Sequence, residues 1–476
     1  MRADPRAFPD NAREALADSA LAAALARSRD GFINKRLKAV NAVPEFDALK
    51  RQAEAIRTRS LQNLDNLLQE YEQAAAARGV QVHWAEDAAA ARRCILDICK
   101  AAGARRVTKG KSMVTEEISL NPALEQAGME VTETDLGEYI IQLRGERPSH
   151  IIAPAVHLSR GQIAETFRAQ HHGLDPERAL ETPEDLIGEA RGILRNRYQA
   201  ADVGITGANF LIAETGQGVI VTNEGNGDLT RSAARVHIAV AGLEKVTGTL
   251  EETMTLLRVL ARSATGQAFS TYTTFFGGPD EGGETGGPEE SHVVLLDNGR
   301  SRILAGAVRE ILRCIRCGAC MNHCPVYGAI GGHAYGWVYP GPMGAVLTPA
   351  LLGVGQARHL PEASSFCGRC AEVCPVGIPL PDLMRKHREE AFRARAGGPA
   401  ARLALHLWAF LALRPKLYHR VTRVAARLLA RLGGRRGRFR YLPLAGGWTA
   451  ARDFPAPQGP TFQSLWQQQR GNGAHD

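Results

Sequence analysis

Residues 314–325 read CIRCGACMNHCP, with four cysteines spaced Cys-x2-Cys-x2-Cys-x3-Cys and followed by a proline. Bacterial ferredoxins use this spacing: three of the cysteines hold one 4Fe-4S cluster, and the fourth holds a second cluster. Three thiolates on a tight turn can cap one face of a cubane, and the proline then redirects the chain. The stretch therefore predicts a domain that holds two iron–sulfur clusters.

A second run, CGRCAEVCP at 367–375, repeats the last three cysteines and the proline. Exchange of the last cysteine between the two runs assigns four thiolates to one cluster and three to the other. Cluster one takes Cys314, Cys317, Cys320 and Cys374, and cluster two takes Cys324, Cys367 and Cys370. Zinc is the competing interpretation, but zinc sites usually pair two Cys-x2-Cys knuckles across a longer loop and give no reason for Cys-x3-Cys-Pro endings.

Cluster two lacks one thiolate in this assignment. The two runs align at an offset of 50 residues, which places Ser364 opposite Cys314. Three outcomes are open: a 3Fe-4S cluster, a 4Fe-4S cluster with Ser364 or water as the fourth ligand, or a site that a partner protein completes. We favour a 4Fe-4S cluster held by three cysteines. Its open iron could bind substrate, but the simpler interpretation is an electron relay with an adjusted potential, since cluster type and net charge set the reduction potential.

About 42 residues separate Cys324 from Cys367, a longer link than small ferredoxins use. The link resembles that of the α-helical ferredoxins in the iron–sulfur subunits of succinate and glycerol-3-phosphate dehydrogenases. Those subunits pass single electrons. We therefore expect residues 301–390 to form an α-helical ferredoxin domain.

Upstream of the cysteines, short apolar runs alternate with helical stretches. Residues 1–59 are predicted as an N-terminal helical arm, and an amphipathic helix at 47–78 leads into an α/β domain at 60–300. Strands separated by helices of this length favour a mostly parallel sheet with helices on both faces. The predicted strands are 80–84, 106–107, 129–132, 150–156, 218–222, 237–242 and 292–296.

Two polar stretches of the α/β domain suggest a ligand cleft. KGKSMVTEE at 109–117 precedes a helix whose N-terminus could bind a carboxylate or phosphate. GITGANFLIAETGQGVIVTNEGN at 204–226 places polar side chains among glycines that permit close approach of the backbone. The competing interpretations are a solvated loop with a helix cap and a hairpin that needs tight turns. The candidate cleft residues are Lys109, Lys111, Ser112, Asn209, Glu214, Asn223 and Glu224.

Nucleotide motifs are missing from the sequence. Residues 103–112 end like a phosphate-binding loop, but that pattern requires glycine where Arg105 stands. No GxGxxG follows a predicted strand, so a Rossmann dinucleotide site has no support. Cys94 and Cys99 lie five residues apart on a helix and cannot share a face, and we expect them to be buried thiols.

The basic charge is concentrated near the C-terminus. The chain has 58 Lys and Arg against 50 Asp and Glu, a net charge of +8, and residues 385–440 contain 16 of the cations and two acids. No nucleic-acid-binding module is recognisable there, so we predict no nucleic acid partner. The segment 391–476 is expected to be helical and basic, with an extended tail, and to contact a partner or a membrane surface. The N-terminus lacks the apolar run of a secretory signal, which predicts a cytoplasmic protein, peripheral to the inner face of the membrane if that contact is made.

Several stretches together resemble the lactate utilization protein B family of iron–sulfur proteins. The resemblance covers nearly the whole chain and rests on KGKSMVTEE, SHIIAPAVH, the 204–226 stretch, HIAVAGLEK, both cysteine runs and WTAARDFPAP at 448–457. It implies that the α/β region is a LUD domain, similar in fold to the NagB, RpiA and CoA-transferase superfamily. It also implies a three-component system that oxidises L-lactate to pyruvate, with a cysteine-rich subunit and a second LUD protein as partners. Seven cysteines fit the family pattern.

Three functions follow as hypotheses. The first is an electron-transfer subunit of an L-lactate-oxidising complex, with quinone or another carrier as acceptor and no catalytic residue assigned in this chain. The second is an iron–sulfur redox sensor or scaffold that does not turn over lactate. The third is an acyl or CoA-transferring enzyme with structural clusters, for which Glu214 offers only an analogy at the level of the fold.

Overall fold

A computed structural model describes residues 1, 4–279, 287–442, 445–449 and 452–472. The chain divides into two compact units, Met1–Ala394 and Arg395–Asp476. The first unit contains the α/β region and all the cysteines, and the second contains the basic segment.

A six-stranded parallel sheet forms the centre of the first unit, as expected for an α/β domain. Its strands lie in the order Val80–Ala85, Glu290–Leu296, Val236–Gly242, Val203–Gly207, Arg106–Lys109 and Glu130–Glu133. The sequence did not predict its strand Val203–Gly207, and the strand predicted at 218–222 belongs to a second sheet. Side chains of a strand alternate between the two faces, so Ile238 and Val240 enter one core whereas Ala239 and Ala241 enter the other. The central strand is buried along its whole length, as expected for a sheet covered on both faces.

A second, four-stranded sheet packs beside the first. It orders the strands Val246–Thr247, Phe210–Ile212, Gln217–Thr222 and Tyr272–Phe276. The middle two strands are antiparallel and form a hairpin, whose turn contains Gly216 at φ +67°. The glycine-rich stretch at 204–226 therefore contains a parallel strand, a tight hairpin and the beginning of a helix.

Helices cover the main sheet and surround it. Ala88–Ala101 packs on one face through Ala91, Ile95 and Cys99, while Cys94 is only half-buried. Leu64–Ala76 packs on the other face. The remaining helices of this region are Met113–Glu117, Leu120–Gln126, Leu136–Leu143, Arg160–Gln170, Pro183–Gln199, Asn226–Ser232, Leu250–Ala264 and Arg300–Leu304, with a 3-10 turn at Leu243–Lys245.

The strand predicted at 150–156 is wrong, because this segment is a loop. The Nδ1 atom of His150 accepts the backbone N–H groups of Ile152 and Ala153 at 3.0 and 3.1 Å. The N–H of Ser149 donates to the carbonyl of Pro154. These contacts satisfy the backbone locally, so the apolar run has no need of a sheet partner.

The N-terminal residues are more helical than the sequence patterns indicate. The predicted helix at 47–78 is two helices, Phe46–Gln62 and Leu64–Ala76, which meet at Asn63. Before them lie a 3-10 turn at Pro5–Ala7 and the helices Phe8–Ala17 and Ser19–Asn41. Leu21 and Leu25 of the longer helix enter the core shared with the cysteine region, so tertiary packing stabilises a helix whose own periodicity is weak.

Residues 297–394, all within the described part of the chain, contain helices and no strand. A short helix lies within each cysteine run, and the longer helices Gly341–Leu352 and Leu380–Arg393 follow the first and the second run. Besides the 3-10 turns Arg309–Arg313 and His333–Tyr335, the helices are Ala319–Asn322, Tyr327–Ile330, Gly341–Leu352, Val354–Ala357, His359–Glu362, Arg369–Glu372 and Leu380–Arg393.

The second unit consists mainly of two helices, Pro399–Ala412 and Pro415–Gly433. A 3-10 turn at Gly434–Arg436, a two-stranded antiparallel pair, Arg438–Phe439 with Phe454–Pro455, and the short helix Gly446–Thr449 follow. The tail expected to be extended contains the helix Phe462–Asn472, so that expectation is wrong for these residues. Among the described residues, every helix is too short or too polar to cross a membrane.

Candidate iron–sulfur centres and adjoining cleft

The first cysteine set converges on one cavity. Its lining includes Cys314, Cys317, Cys320 and Cys374 together with Ile151, Ile315, Met343, Val376, Ile378 and Leu380. Burial raises the pKa of Cys317 to about 12 and that of Cys374 to about 11. Burial alone therefore opposes the thiolate form, and four thiolates here need positive charge inside the cavity. This donor set fits a 4Fe-4S cluster.

The second cysteine set lines a separate cavity. Cys324, Cys367 and Cys370 meet there with Ser364, Ser365 and His323. Cys324 and Cys370 are buried, and burial raises the pKa of Cys370 to about 12, whereas Cys367 is exposed. Three thiols and a hydroxyl suit a cluster with one incomplete position. The grouping of the seven cysteines is the same as that derived from their spacing.

The two cysteine turns share a backbone conformation at the offset of 50 residues. Arg316 and Phe366 both lie in the left-handed region, at φ +60° and +55°, although neither is glycine. The N–H of Arg316 donates to the Sγ atom of Cys314 at 3.4 Å, and the N–H of Phe366 donates to the Oγ atom of Ser364 at 3.1 Å. Ser364 thus occupies the turn position that Cys314 occupies in the first run.

Buried arginines of the N-terminal helices hold the cysteine turns. Arg57 donates to the carbonyls of Leu312 and Arg313, which immediately precede Cys314, and to the carbonyl of Val246 at 3.0 Å. Arg36 donates to the carbonyl of Val373 next to Cys374. Sequence analysis missed both arginines. The one available signal was an arginine on the apolar face of an amphipathic helix.

A cleft with a volume of about 230 Å³ lies at the carboxyl ends of the central strands. Five of the seven predicted cleft residues line it, namely Lys111, Ser112, Asn209, Asn223 and Glu224. The Nζ atom of Lys111 forms an ion pair with Asp135 at 3.3 Å and donates to the carbonyl of Ile152 at 2.8 Å. The Oδ1 atom of Asn209 accepts the N–H of Val221. The two polar stretches therefore meet in space.

The structure places the other two predicted cleft residues elsewhere. Lys109 is 1% exposed and forms ion pairs with Glu133 at 2.7 Å and Glu116 at 3.1 Å. Glu214 is exposed, and its carboxylate accepts the N–H of Leu250 at 2.9 Å at the start of the helix Leu250–Ala264. Lys109 is therefore a buried, ion-paired residue of the core, and Glu214 caps a helix.

Lys245 and Arg316 also line the cleft, and sequence analysis did not select them. Burial, together with the nearby charge of Arg316, lowers the pKa of Lys245 to about 8. Ile151 lines both the cleft and the cavity of the first cysteine set. A signal for Lys245 was present, because charged residues directly follow the buried strand Val236–Gly242 at the sheet edge where ligands bind.

A buried ion network joins the main sheet to the cysteine region. Arg300 contacts Glu117 at 2.8 Å and Glu244 at 2.6 Å, and the hydroxyl of Tyr339 donates to Glu117 at 2.6 Å. Arg316 reaches Glu244 at 3.4 Å. These cations outweigh the desolvation of Glu244 and lower its pKa to about 2. The network holds the cleft and the first cysteine turn in a fixed relation.

Comparisons with known proteins cover nearly the whole chain. Residues 68–296 match the LUD domain, residues 310–378 match the 4Fe-4S dicluster domain, and residues 390–471 match the C-terminal domain of lactate utilisation protein B. A crystal structure of a DUF162 family protein from Deinococcus radiodurans aligns at 15% identity with a TM-score of 0.28, covering 49% of this chain and 98% of that one.

Two curated relatives, from Lysinibacillus sphaericus strain C3-41 and Bacillus thuringiensis strain Al Hakam, are each called lactate utilization protein B. Each is 41% identical to this chain over 475 residues, which is 99% of both chains. Identity of this extent, together with the LUD domain and the 4Fe-4S dicluster domain matched in this chain, agrees with the resemblance drawn from the motifs. The chain belongs to the lactate utilization protein B family.

Proposed function

We propose that this protein is the iron–sulfur electron-transfer subunit of a system that oxidises L-lactate to pyruvate. The observation that carries the proposal is the convergence of seven cysteines on two cavities, four on one and three on the other. When bound, each iron–sulfur cluster takes up and releases one electron at a time. The name shared by the relatives supports lactate as the source of those electrons.

The proposed ligands of cluster one are Cys314, Cys317, Cys320 and Cys374. Backbone N–H groups donate to these sulfurs, among them that of Arg316 to Cys314 and that of Ile378 to Cys374, each at 3.4 Å. Hydrogen bonds to the sulfurs and the apolar wall around them are the means by which this chain would set the potential of the cluster.

The proposed ligands of cluster two are Cys324, Cys367 and Cys370, and we propose a 4Fe-4S cluster with three cysteines. Ser364 is the protein group best placed to approach the fourth iron, since it occupies the turn position of Cys314. A 3Fe-4S cluster and a ligand from a partner are the other outcomes. Exposure of Cys367 places this set at the surface, where an acceptor can approach.

The two cysteine sets differ in their surroundings, and this difference suggests a direction. The first set adjoins the cleft of the LUD domain through Ile151 and Arg316, whereas the second set reaches solvent at Cys367. We therefore assign the donor side to the cleft and the acceptor side to the neighbourhood of Cys367. A cysteine-rich subunit and a second LUD protein are the proposed partners, and quinone or another carrier is the proposed acceptor.

The domain limits that we propose are 1–59, 60–300, 301–390 and 391–476. The all-helical character of residues 297–394 supports an α-helical ferredoxin domain, and the parallel sheet supports a LUD domain similar to the NagB, RpiA and CoA-transferase superfamily. The capping role of Glu214 gives no support to a CoA-transferring enzyme.

We also propose that the basic segment lies on the membrane surface of the cytoplasmic side. The helix Pro415–Gly433 has an apolar stripe of exposed side chains, Leu417, Val421, Val424, Leu428 and Leu432. A basic stripe runs beside it, formed by Lys416, Arg420, Arg423, Arg427 and Arg431. Such a helix binds anionic lipid with its apolar face in the interface and its cations at the headgroups.

A redox sensor is the second candidate function, because an exposed cysteine beside an incomplete cluster site is accessible to oxidants. The test replaces Cys317 or Cys370 by serine and measures lactate-dependent reduction of an acceptor by the protein assembled with its partners. Loss of reduction in both variants is expected for an electron-transfer subunit. Cys94→Ser, outside both cavities, is the matched control. Normal reduction by both cluster variants would instead favour the sensor or scaffold.

A further inference from the structure

Lys245 is a buried cation that faces the cleft and forms no ion pair among the described residues. Its side chain lines the cleft, the residue is 5% exposed, and none of the hydrogen bonds or ion pairs within the described ranges involves its ammonium group. Its neighbour Glu244 is already held by Arg300 at 2.6 Å. A buried lysine is costly to maintain without a counter-charge, so the position points to an anion that enters the cleft.

Arg316 supplies a second cation to the same cleft. Its guanidinium lies 4.7 Å from the centre of the Tyr339 ring and 3.4 Å from Glu244, a long contact for an ion pair. The planar guanidinium can offer two parallel N–H groups to a carboxylate. Its backbone N–H meanwhile donates to Cys314. One residue thus connects the cleft to the first cysteine set.

The charges of the lining indicate how much negative charge the cleft accepts. The lining contains three cations, Lys111, Lys245 and Arg316, and two carboxylates, Asp135 and Glu224. Asp135 forms an ion pair with Lys111 at 3.3 Å, and Glu244 forms one with Arg316 at 3.4 Å, so Lys245 is the lining cation that has no ion pair. A monoanion matches this balance, whereas the two carboxylates disfavour a phosphate dianion.

The uncharged lining residues suggest what accompanies the negative group. Ser112 and Asn209 offer hydrogen-bonding groups, while Ile151, Leu260 and Ala261 form an apolar wall of the cleft. A polar substituent near the charge and a small apolar remainder would both be accommodated. A volume of about 230 Å³ admits a molecule of a few carbon atoms with bound water.

We propose that the cleft binds a small monocarboxylate with a hydroxyl or oxo group on the adjacent carbon, its carboxylate lying between Lys245 and Arg316. This inference rests on the proposed function and deepens it, because it places the lactate or pyruvate site in this chain and not in a partner. Lys245 is a binding residue, and Ile151 separates the bound molecule from the first cysteine set.

The test is isothermal titration calorimetry on the anaerobic holoprotein without partners, with L-lactate, pyruvate and inorganic phosphate as separate titrants. We expect saturable binding of a carboxylate and weaker binding of phosphate. Lys245→Met should weaken carboxylate binding at least tenfold, whereas Lys245→Arg should retain most of it. Lys100→Met, at an exposed lysine of the helix Ala88–Ala101, is the matched control.

Iron content and the electron paramagnetic resonance (EPR) spectrum of each variant verify that the fold and clusters are intact. Absence of carboxylate binding to intact holoprotein, unchanged affinity in Lys245→Met, or tighter binding of phosphate would each overturn the proposal. If lactate still reduces the clusters once the partners are added, the proposed function stands and the substrate site belongs to a partner. If lactate does not reduce the clusters in the presence of the partners, the proposed function is wrong, whatever the titration with carboxylates shows.

Discussion

Replacement of Arg57 by methionine should destabilise the first unit and loosen cluster one. Arg57 is 1% exposed and donates to four backbone carbonyls, those of Glu244, Val246, Leu312 and Arg313. Methionine fills similar space but donates no hydrogen bond. The four carbonyls would remain buried without these donors, and two of them belong to the residues that immediately precede Cys314.

The size of the effect follows from two opposing contributions. Four orphaned carbonyls cost about 8 kcal/mol at about 2 kcal/mol each. Burial lowers the pKa of Arg57 from 12.5 to about 10, so keeping this charge inside the protein costs about 3 kcal/mol. The uncharged methionine removes this cost. We expect a net loss of about 5 kcal/mol in the free energy of unfolding.

The assay is an anaerobic thermal melt of the holoprotein, together with iron content before and after brief exposure to air. A loss of this size should lower the apparent Tm by roughly 5–10 °C. Arg59→Met on the same helix is the control, since Arg59 is exposed and its pair with Glu252 contributes at most about 1 kcal/mol. If Arg57→Met melts within 1 °C of Arg59→Met and retains its iron equally well, the proposed anchoring role is refuted.

Three further predictions concern cluster two, pH and the membrane. Ser364→Cys should give cluster two a fourth thiolate ligand and change its EPR signal while the iron content stays at eight atoms per chain; an unchanged EPR spectrum would contradict a ligand position there. Hydrogen bonds from His157 and Arg144 lower the pKa of Glu146 to about 2, so its stabilisation is fully present above pH 4.5 and is lost as the pH falls toward 2. The Tm deficit of Glu146→Gln should therefore shrink below pH 4.5, and a constant deficit would exclude this linkage. Arg423→Glu with Arg427→Glu should abolish sedimentation with vesicles that contain phosphatidylglycerol, while neutral vesicles should bind neither protein.

The cysteine spacing predicted which cysteines line each cavity, because exchange of the last cysteine between the two runs is part of the ferredoxin pattern. The parallel sheet was also predictable, since its buried strands alternate with helices. The loop at 149–158 was not predictable. The N–H groups of Ile152 and Ala153 donate to the ring of His150 and not to a neighbouring strand. An apolar run alone cannot distinguish the two cases.

The candidate cleft was predicted in part. The residues that were assigned wrongly or missed depend on contacts between segments that are far apart in the sequence. Lys109 and Lys111 look equivalent in the sequence, but Lys109 is paired with Glu133 from the neighbouring strand whereas Lys111 reaches the cleft. Lys245 and Arg316 are 71 residues apart, and only the folded chain brings them to one cavity. Arg57 was missed for the same reason, because its four acceptors come from distant segments.

The measurement that tests the central claim most directly is an anaerobic absorption and EPR spectrum of the protein with its partners, before and after L-lactate is added. We predict that L-lactate alone reduces the clusters, with bleaching of the visible absorption and a changed EPR signal. If dithionite reduces the clusters but L-lactate does not, even with the partners and a candidate acceptor present, the assignment to lactate oxidation is contradicted.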